Sequence, residues 1–233
     1  YYPDDVHEAV FQKVIQRAYL NFRLFCNTFE HHLVGDSLDV KTENLRTKLD
    51  NFYMKYLLII SLQNADILDA IQCLQYKAVP HTTFFRIVNF INMLTSIKNL
   101  RIKKCIFLFN QEVVYSSINP LDLFVINEYM TECLFPKFFQ LRNNQSYDID
   151  QNVGCFVTEN ERESLANAPK IYLYGDGRKG GECETYRMAI YNIMDVSLVM
   201  LVEDVEEALG DEFINEIKCS IGPQIGMICK EIT

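Results

Sequence analysis

The residues of this chain that could do chemistry are four histidines, eight cysteines, two groups of acids and one glycine-rich loop. His31 and His32 are adjacent near a helix end, but no further ligand stands at the spacing a zinc site requires, and His7 and His81 have no local support. Asp66 with Asp69, and Glu203, Asp204, Glu206 and Glu207, could be offered as paired acids for proton transfer. The first pair falls in an element of ambiguous type. The second group occupies a predicted helix start, where carboxylates favour the dipole, and Asp204 with Glu207 has the capping-box spacing. The loop Gly175-Asp176-Gly177-Arg178-Lys179-Gly180-Gly181 has glycines suited to cradling phosphate, yet it lacks the Gly-Lys-Ser/Thr ending and no helix follows at once, so it reads as a hairpin connection. No nucleophile, base and orienting group can be assembled from these residues, and no catalytic residue, cofactor ligand or metal ligand is assigned.

Composition narrows the class. The chain has 233 residues, 49% of them apolar and 23% charged, with 16 Phe, 13 Tyr and no Trp, which is a globular composition with well-filled interfaces between elements. A formal charge of −9 without a long cationic run argues against nucleic acid, and against adhesion of this segment alone to anionic lipid. The densest basic group, Arg101, Lys103 and Lys104, reads as a solvated strand end. The cysteines are scattered without a Cys-x-x-Cys pair. Cys105, Cys133 and Cys219 lie in apolar patterns, so a reducing cytosol fits better than a disulfide framework. No apolar run approaches the roughly 18 residues that span a bilayer. The start lacks a signal-peptide pattern and enters a helix abruptly, as a piece of a longer protein would; Asn144-Gln145-Ser146 matches a glycosylation sequon that would be idle in the cytosol.

Residues 4–33 read as a helix, with Asp5 and Glu8 as a capping box and Val10, Val14, Ala18, Phe22 and Phe25 near one face. A second helix starts at about Glu43, with Leu45, Leu49, Phe52, Tyr56 and Ile60 along it. Residues 66–79 are ambiguous between helix and strand. A third helix follows Pro80, carries Phe84, Ile87, Val88, Ile91 and Leu94, and ends near Asn99. Cys105, Phe107 and Phe109 alternate with Ile106 and Leu108, so one strand face can be buried. Asn110-Gln111 makes the turn and Val113-Val114-Tyr115 resumes the strand. Asn119 caps the next helix, Pro120 takes its first position and Pro136 stops it after Phe135. Arg142–Asn152 reads as a loop. Strands are predicted at 155–158, 170–174, Tyr186–Ile193 and Val196–Val202, before a closing helix that carries Ile214, Ile217, Ile221, Ile225 and Ile228, kinked at Gly222-Pro223. This order gives an α+β fold: an antiparallel sheet between helices.

Five segments together resemble the Ccz family of subunits from Mon–Ccz complexes: Val14–Phe29 (VIQRAYLNFRLFCNTF), Phe90-Ile91-Asn92-Met93, Phe107–Glu112 (FLFNQE), Cys133–Pro136 (CLFP) and Ile221–Gln224 (IGPQ). None is a catalytic signature; their joint occurrence in this order carries the resemblance. It implies a longin (profilin-like) fold with a five-stranded antiparallel sheet flanked by helices. Residues 1–63 would be the C-terminal helices of a partial first longin domain, 64–99 a connecting segment with a helix, and 100–233 a second longin domain. It also implies a noncatalytic, cytoplasmic subunit, peripheral on late endosome, lysosome or vacuole membranes. Such a subunit pairs with Mon, with a third regulatory subunit in animals, and promotes nucleotide exchange on a late-endosomal Rab GTPase of the Rab-seven (Ypt) class. The alternatives are the related tri-longin exchange factor of lysosome-related organelles, a longin-domain adaptor or tethering subunit, and, from a different class, a hydrolase whose site is assembled only by folding.

The helix after Pro120 supplies a candidate partner surface. Leu123, Ile126, Met130 and Leu134 form one apolar stripe, with Leu121, Val125 and Tyr129 beside it. This is more apolar width than packing on one sheet needs, and the stripe is expected to serve subunit assembly.

Overall fold

Strand β1 (Ile102–Phe109) sets the architecture because its side chains are buried on both faces from Cys105 to Phe109. In the computed structural model, which describes residues 8–34, 37–59, 74–144, 154–158, 165–174, 183–205 and 208–232, β1 pairs antiparallel with β2 (Glu112–Ser116) on one side. On the other side it pairs antiparallel with β6 (Val196–Glu203). Next to β6 runs β5 (Cys183–Ile193). The outer edge of β5 is shared by β3 (Cys155–Phe156) near its end and β4 (Lys170–Tyr174) near its start. The antiparallel sheet therefore has six strands in five positions, ordered β2-β1-β6-β5-β3/β4. The five-stranded expectation holds in width, with the outermost position divided between two short strands.

The period of two sorts the strands into two cores. Cys105, Phe107 and Phe109 join Ala189, Tyr191 and Ile193, and Leu198, Met200 and Val202, on one face. Ile106 and Leu108 join Met188 and Ile190, and Val199 and Leu201, on the other. The single buried face expected for β1 is thus corrected to two. Asn110 and Gln111 turn β1 into β2 with φ of 50° and 68°, the positive pair that a two-residue hairpin matched to strand twist requires. Asn110 N–H donates to the Asp195 carbonyl at 2.8 Å, tying this turn to the Met194-Asp195 turn between β5 and β6.

Two helical layers cover the sheet. On the face of Cys105 lie α4 (His81–Ser96) and the closing run of α7 (Asp211–Glu216) and α8 (Gly222–Ile232). On the face of Ile106 lie α1 (Glu8–Cys26) and the run of α5 (Pro120–Tyr129) and α6 (Phe135–Asn144). The α2 turn (Phe29–His32) and α3 (Leu38–Ile59) return beside α1, where Phe22 is enclosed by the rings of Phe29, His32, Phe52 and Tyr53. The edge of β2 is partly covered by residues 74–77. Val113 N–H donates to the Gln75 carbonyl, and Lys77 N–H to that of Val113, at 3.2 and 2.8 Å.

Several boundaries move. The first helix ends at Cys26 because Asn27 adopts φ 75°, a left-handed stop that turns the chain into α2; its start before Glu8 lies outside the described residues. The second helix begins at Leu38 rather than near Glu43, and the third ends at Ser96. Much of the ambiguous 66–79 stretch lies outside the described residues, but Leu74–Val79 is non-helical.

Asn119 does cap α5, its Oδ1 accepting from Asp122 N–H at 2.9 Å. Pro136, however, does not end the helix. Met130–Leu134 forms a π-turn and α6 continues through the proline to Asn144. A proline inside a regular helix clashes with the carbonyl four residues back and leaves it unpaired; the wider π-turn accommodates the ring. The same device recurs where a kink was expected. Ile217–Ile221 is a π-turn immediately before Gly222-Pro223.

The closing helix starts at Asp211, so Asp204 is no cap, and Glu206 and Glu207 lie outside the described residues. Asp204 instead accepts from Lys170 Nζ at 2.6 Å and Arg187 Nε at 2.7 Å, joining β4 and β5 to the end of β6. The hydrogen bond from Lys170, then that from Arg187, hold its carboxyl below the usual carboxylate range.

Charged contacts dock α1 on α5. Arg23 donates to Asp122 at 2.8 Å, Arg17 pairs with Glu128 at 2.6 Å, and Phe25 meets Tyr129 with ring centroids 4.7 Å apart. Asp122 is 2% exposed and Arg23 21%. Removing one partner from such a pair leaves the other charge stranded. We therefore expect Asp122→Ala to lower stability by roughly 2–4 kcal/mol, read from urea midpoints, and Arg23→Ala to add little once Asp122 is gone. Additive losses would contradict this coupling. For Asp204 the sign follows from a folded-state pKa below the unfolded one. The contribution is present above about pH 4, the unfolded value, and is lost as pH falls through the folded value. Asp204→Asn should destabilise at neutral pH, and the gap from wild type should shrink on acidification below about pH 4; a gap that stays constant with pH would refute the assignment.

Candidate interaction surface

The predicted stripe sits at the centre of the molecule. Leu123, Ile126, Met130 and Leu134 are 1, 0, 0 and 4% exposed and meet Ile106, Leu108, Val199 and Leu201 of the sheet. None is available at the surface in this fold, which corrects the expectation of a partner-facing stripe. The excess apolar width was read correctly and has an internal use. Val125 is buried as well, and α1 contributes Leu20 and Leu24 to the same core, covering the flank of α5. The two faces of this one helix are thus taken by the sheet and by α1, leaving Leu121 as its exposed large apolar residue among those described.

The exposed apolar surface lies elsewhere. Leu33, Val34, Leu38 and Val40 flank the connection between α2 and α3, and Val34 and Leu38 are 66 and 78% exposed. On α4, Phe85 is 65% exposed beside half-buried Phe84. The sequence held a signal for Phe85. Phe84, Ile87, Val88, Ile91 and Leu94 keep the helical period, and Phe85 is an aromatic residue out of phase with it. For the α2–α3 connection, the signal was four large apolar residues, Leu33, Val34, Leu38 and Val40, between the main runs of the two predicted helices.

The groups with chemical potential are dispersed. The His32 ring bonds the Cys26 carbonyl and meets the rings of Phe22 and His31, while His81 opens α4 at the surface. His7, Asp66, Asp69 and the loop at 175–181 lie outside the described residues. Among the described residues no three His, Cys, Asp or Glu side chains approach at metal-binding distance. Burial pushes the Cys105 thiol up to about 12, so it stays protonated and unreactive at neutral pH, and burial raises Cys26 too. Cys133 is half-buried, whereas Cys219 is exposed in the second π-turn, against its apolar sequence context.

Lys103 pairs with Glu203 at 3.0 Å and Lys104 with Glu184 at 3.2 Å, so two of the three cations at the basic strand end are paired with carboxylates of β6 and β5. Glu184 is held below the usual range by the Tyr186 hydroxyl first and Lys104 second. These arrangements bind the sheet together. Among the described residues, the large apolar side chains left exposed lie mostly on the helices and their connections.

Comparison with known proteins fits this picture. Residues 102–221 match the model for the family described as Intu longin-like domain 2, a span that runs from the first residue of β1 to the end of the second π-turn. Along its length the chain is similar to proteins named Vacuolar fusion protein CCZ1 homolog. The Xenopus laevis protein is 24% identical, with 100% of this chain and 50% of that protein aligned; the Danio rerio protein is 22% identical, at 100% and 49%. The Nematostella vectensis protein is 25% identical, at 99% and 51%. The chain therefore spans about half the length of the curated relatives it matches. The Ccz likeness carried by five short segments extends to the whole chain, and with just over half of its residues inside the longin model the chain belongs to the Intu longin-like domain 2 family.

Proposed function

We propose that this chain is part of a noncatalytic subunit of a heteromeric guanine nucleotide exchange factor that serves a late-endosomal or vacuolar Rab GTPase of the Rab-seven class. The observation that carries the reading is the end-to-end similarity to vacuolar fusion proteins of the CCZ1 type. On this reading it pairs with a Mon subunit, with a third regulatory subunit in animals. It reaches endosome, lysosome or vacuole membranes peripherally through the complex; no helix among the described residues is long and apolar enough to cross a membrane. Residues 1–63 belong to a first longin domain and 100–233 to a second, with 64–99 between them.

Exchange makes and breaks no covalent bond. A nucleotide held at nanomolar to picomolar affinity represents roughly 12–16 kcal/mol, so spontaneous release is slow. A factor that binds the nucleotide-free GTPase more tightly than the loaded form lowers nucleotide affinity by the same coupling. Surface complementarity that displaces a switch loop is sufficient, and the chain's own contribution is assembly. The exposed connection at Leu33, Val34, Leu38 and Val40 is the assembly surface on this reading.

The full-length protein co-purified with its Mon partner should accelerate release of fluorescent GDP from the Rab-seven GTPase by at least about tenfold; no acceleration would contradict the exchange reading and favour an adaptor. Leu38→Glu in the same complex should cut recovery of the partner by about tenfold while leaving the thermal midpoint in place. Unchanged recovery, or a collapsed midpoint, would remove the connection from the assembly surface.

A further inference from the structure

Helix α3 carries its charges on opposite sides. Lys41, Leu45, Leu49 and Phe52 are half-buried at three- and four-residue spacing, and the Phe52 ring meets Phe22 of α1 at 5.3 Å, so this face of α3 looks inward. Lys48 is on the same side. Burial raises the Cys26 thiol and the charge of Lys48 partly opposes it, which places the ammonium near the end of α1. The carboxylates face the other way. Asp39 and Glu43, one helical turn apart, are exposed and form no ion pair among the described residues. Asp50, two turns further along the same outward row, is already matched by Arg46 at 3.9 Å.

These two unmatched carboxylates border the exposed apolar connection between α2 and α3. Val40 lies between them in sequence and is 50% exposed, and its N–H donates to Ser37 Oγ at 3.3 Å, which fixes the start of the helix. Asn44 Nδ2 donates to the Val34 carbonyl at 2.9 Å and so holds Val34 against the second turn of α3, beside Glu43. The helix dipole accounts for an acid in the first turn, Asp39, but its effect has fallen off by Glu43. Apolar side chains held in place at the surface and edged by negative charge select an occupant by sign. Anionic lipid and nucleic acid are repelled. A second copy of the chain would set the same carboxylates against each other, with a formal charge of −9 on each side.

We propose that the α2–α3 connection docks on a basic protein surface, an apolar cleft for Val34, Leu38 and Val40 rimmed by lysine or arginine side chains that meet Asp39 and Glu43, which rests on the connection being the assembly surface proposed above. Apolar contact supplies the affinity. The charges supply orientation and a faster encounter, and matching Asp39 and Glu43 from across the interface discriminates against neutral or acidic partners of the same shape.

The test is biolayer interferometry of the full-length protein on the immobilised Mon subunit proposed above, at about 50 and about 300 mM NaCl. The wild-type association rate should fall by at least about fivefold across that range. Asp39→Asn/Glu43→Gln should lower the rate by roughly threefold at the lower salt and flatten its salt dependence, with the dissociation rate and thermal midpoint nearly unchanged. Asp211→Asn/Glu212→Gln removes the same charge from exposed positions on α7 and should leave the rate close to wild type. A salt-independent wild-type rate, an unaltered rate in the Asp39/Glu43 variant or an equal loss in the α7 variant, with Leu38→Glu still cutting binding, would overturn the basic face and leave the assembly surface standing. Binding that survives Leu38→Glu, or no binding by the wild type, would overturn both.

Discussion

Everything in this molecule follows from burying both faces of its two central strands. β1 and β6 lie inside the sheet with their side chains directed alternately into two cores, so helices are needed on both sides. A single helical layer would leave either Ile106, Leu108, Val199 and Leu201 or Cys105, Phe107, Leu198 and Met200 in water. Fully burying one such side chain is worth about 1.5–3 kcal/mol, so neither layer is dispensable. The role of α1 follows from this. It belongs to the layer over Ile106, and its charged contacts to α5 fix where the helix lies on an apolar surface that by itself would accept several registers.

The two long helices solve a shared problem alike. Each must run the length of the sheet, and each carries a proline part-way, Pro136 in one and Pro223 in the other. In both, a five-residue π-turn directly precedes the short α-segment in which proline is the second residue. Two of the segments that carry the family resemblance, CLFP and IGPQ, fall at these junctions. They specify a way of passing a proline along a helix, which explains why they looked distinctive while suggesting no chemistry. In the second junction the glycine before the proline has a further consequence: it gives room to the Tyr191 hydroxyl.

How much of this was legible depended on range. The hairpin, the Asn119 cap, the strands and the α+β order rest on local rules of alternation, turn chemistry and capping, and these read directly from Lys104–Pro120 and Tyr186–Val202. The Pro136 stop failed because the local rule for proline holds in a regular helix, and the π-turn is chosen by the tertiary demand to keep covering the sheet. Asp204 looked like a cap because its spacing to Glu207 is right. Only the strand register shows that Lys170 and Arg187 converge on it. The stripe of Leu123, Ile126, Met130 and Leu134 was recognised as too wide for the sheet alone, but one sequence cannot say whether a distant helix or another subunit covers the surplus. Here α1, about a hundred residues earlier, does.

The functional account rests on the same geometry: a chain that closes both sheet faces with its own helices has its docking surfaces on the outside of those helices. Hydrogen exchange on the full-length protein, alone and with the proposed Mon partner, tests this most directly. The account predicts that β1, β6 and α5 are the slowest-exchanging segments already in the free protein, and that the partner adds protection around the α2–α3 connection and leaves α5 unchanged. Fast exchange of α5 in the free protein, suppressed only when the partner binds, would show that its apolar stripe is an intersubunit surface and would contradict the account.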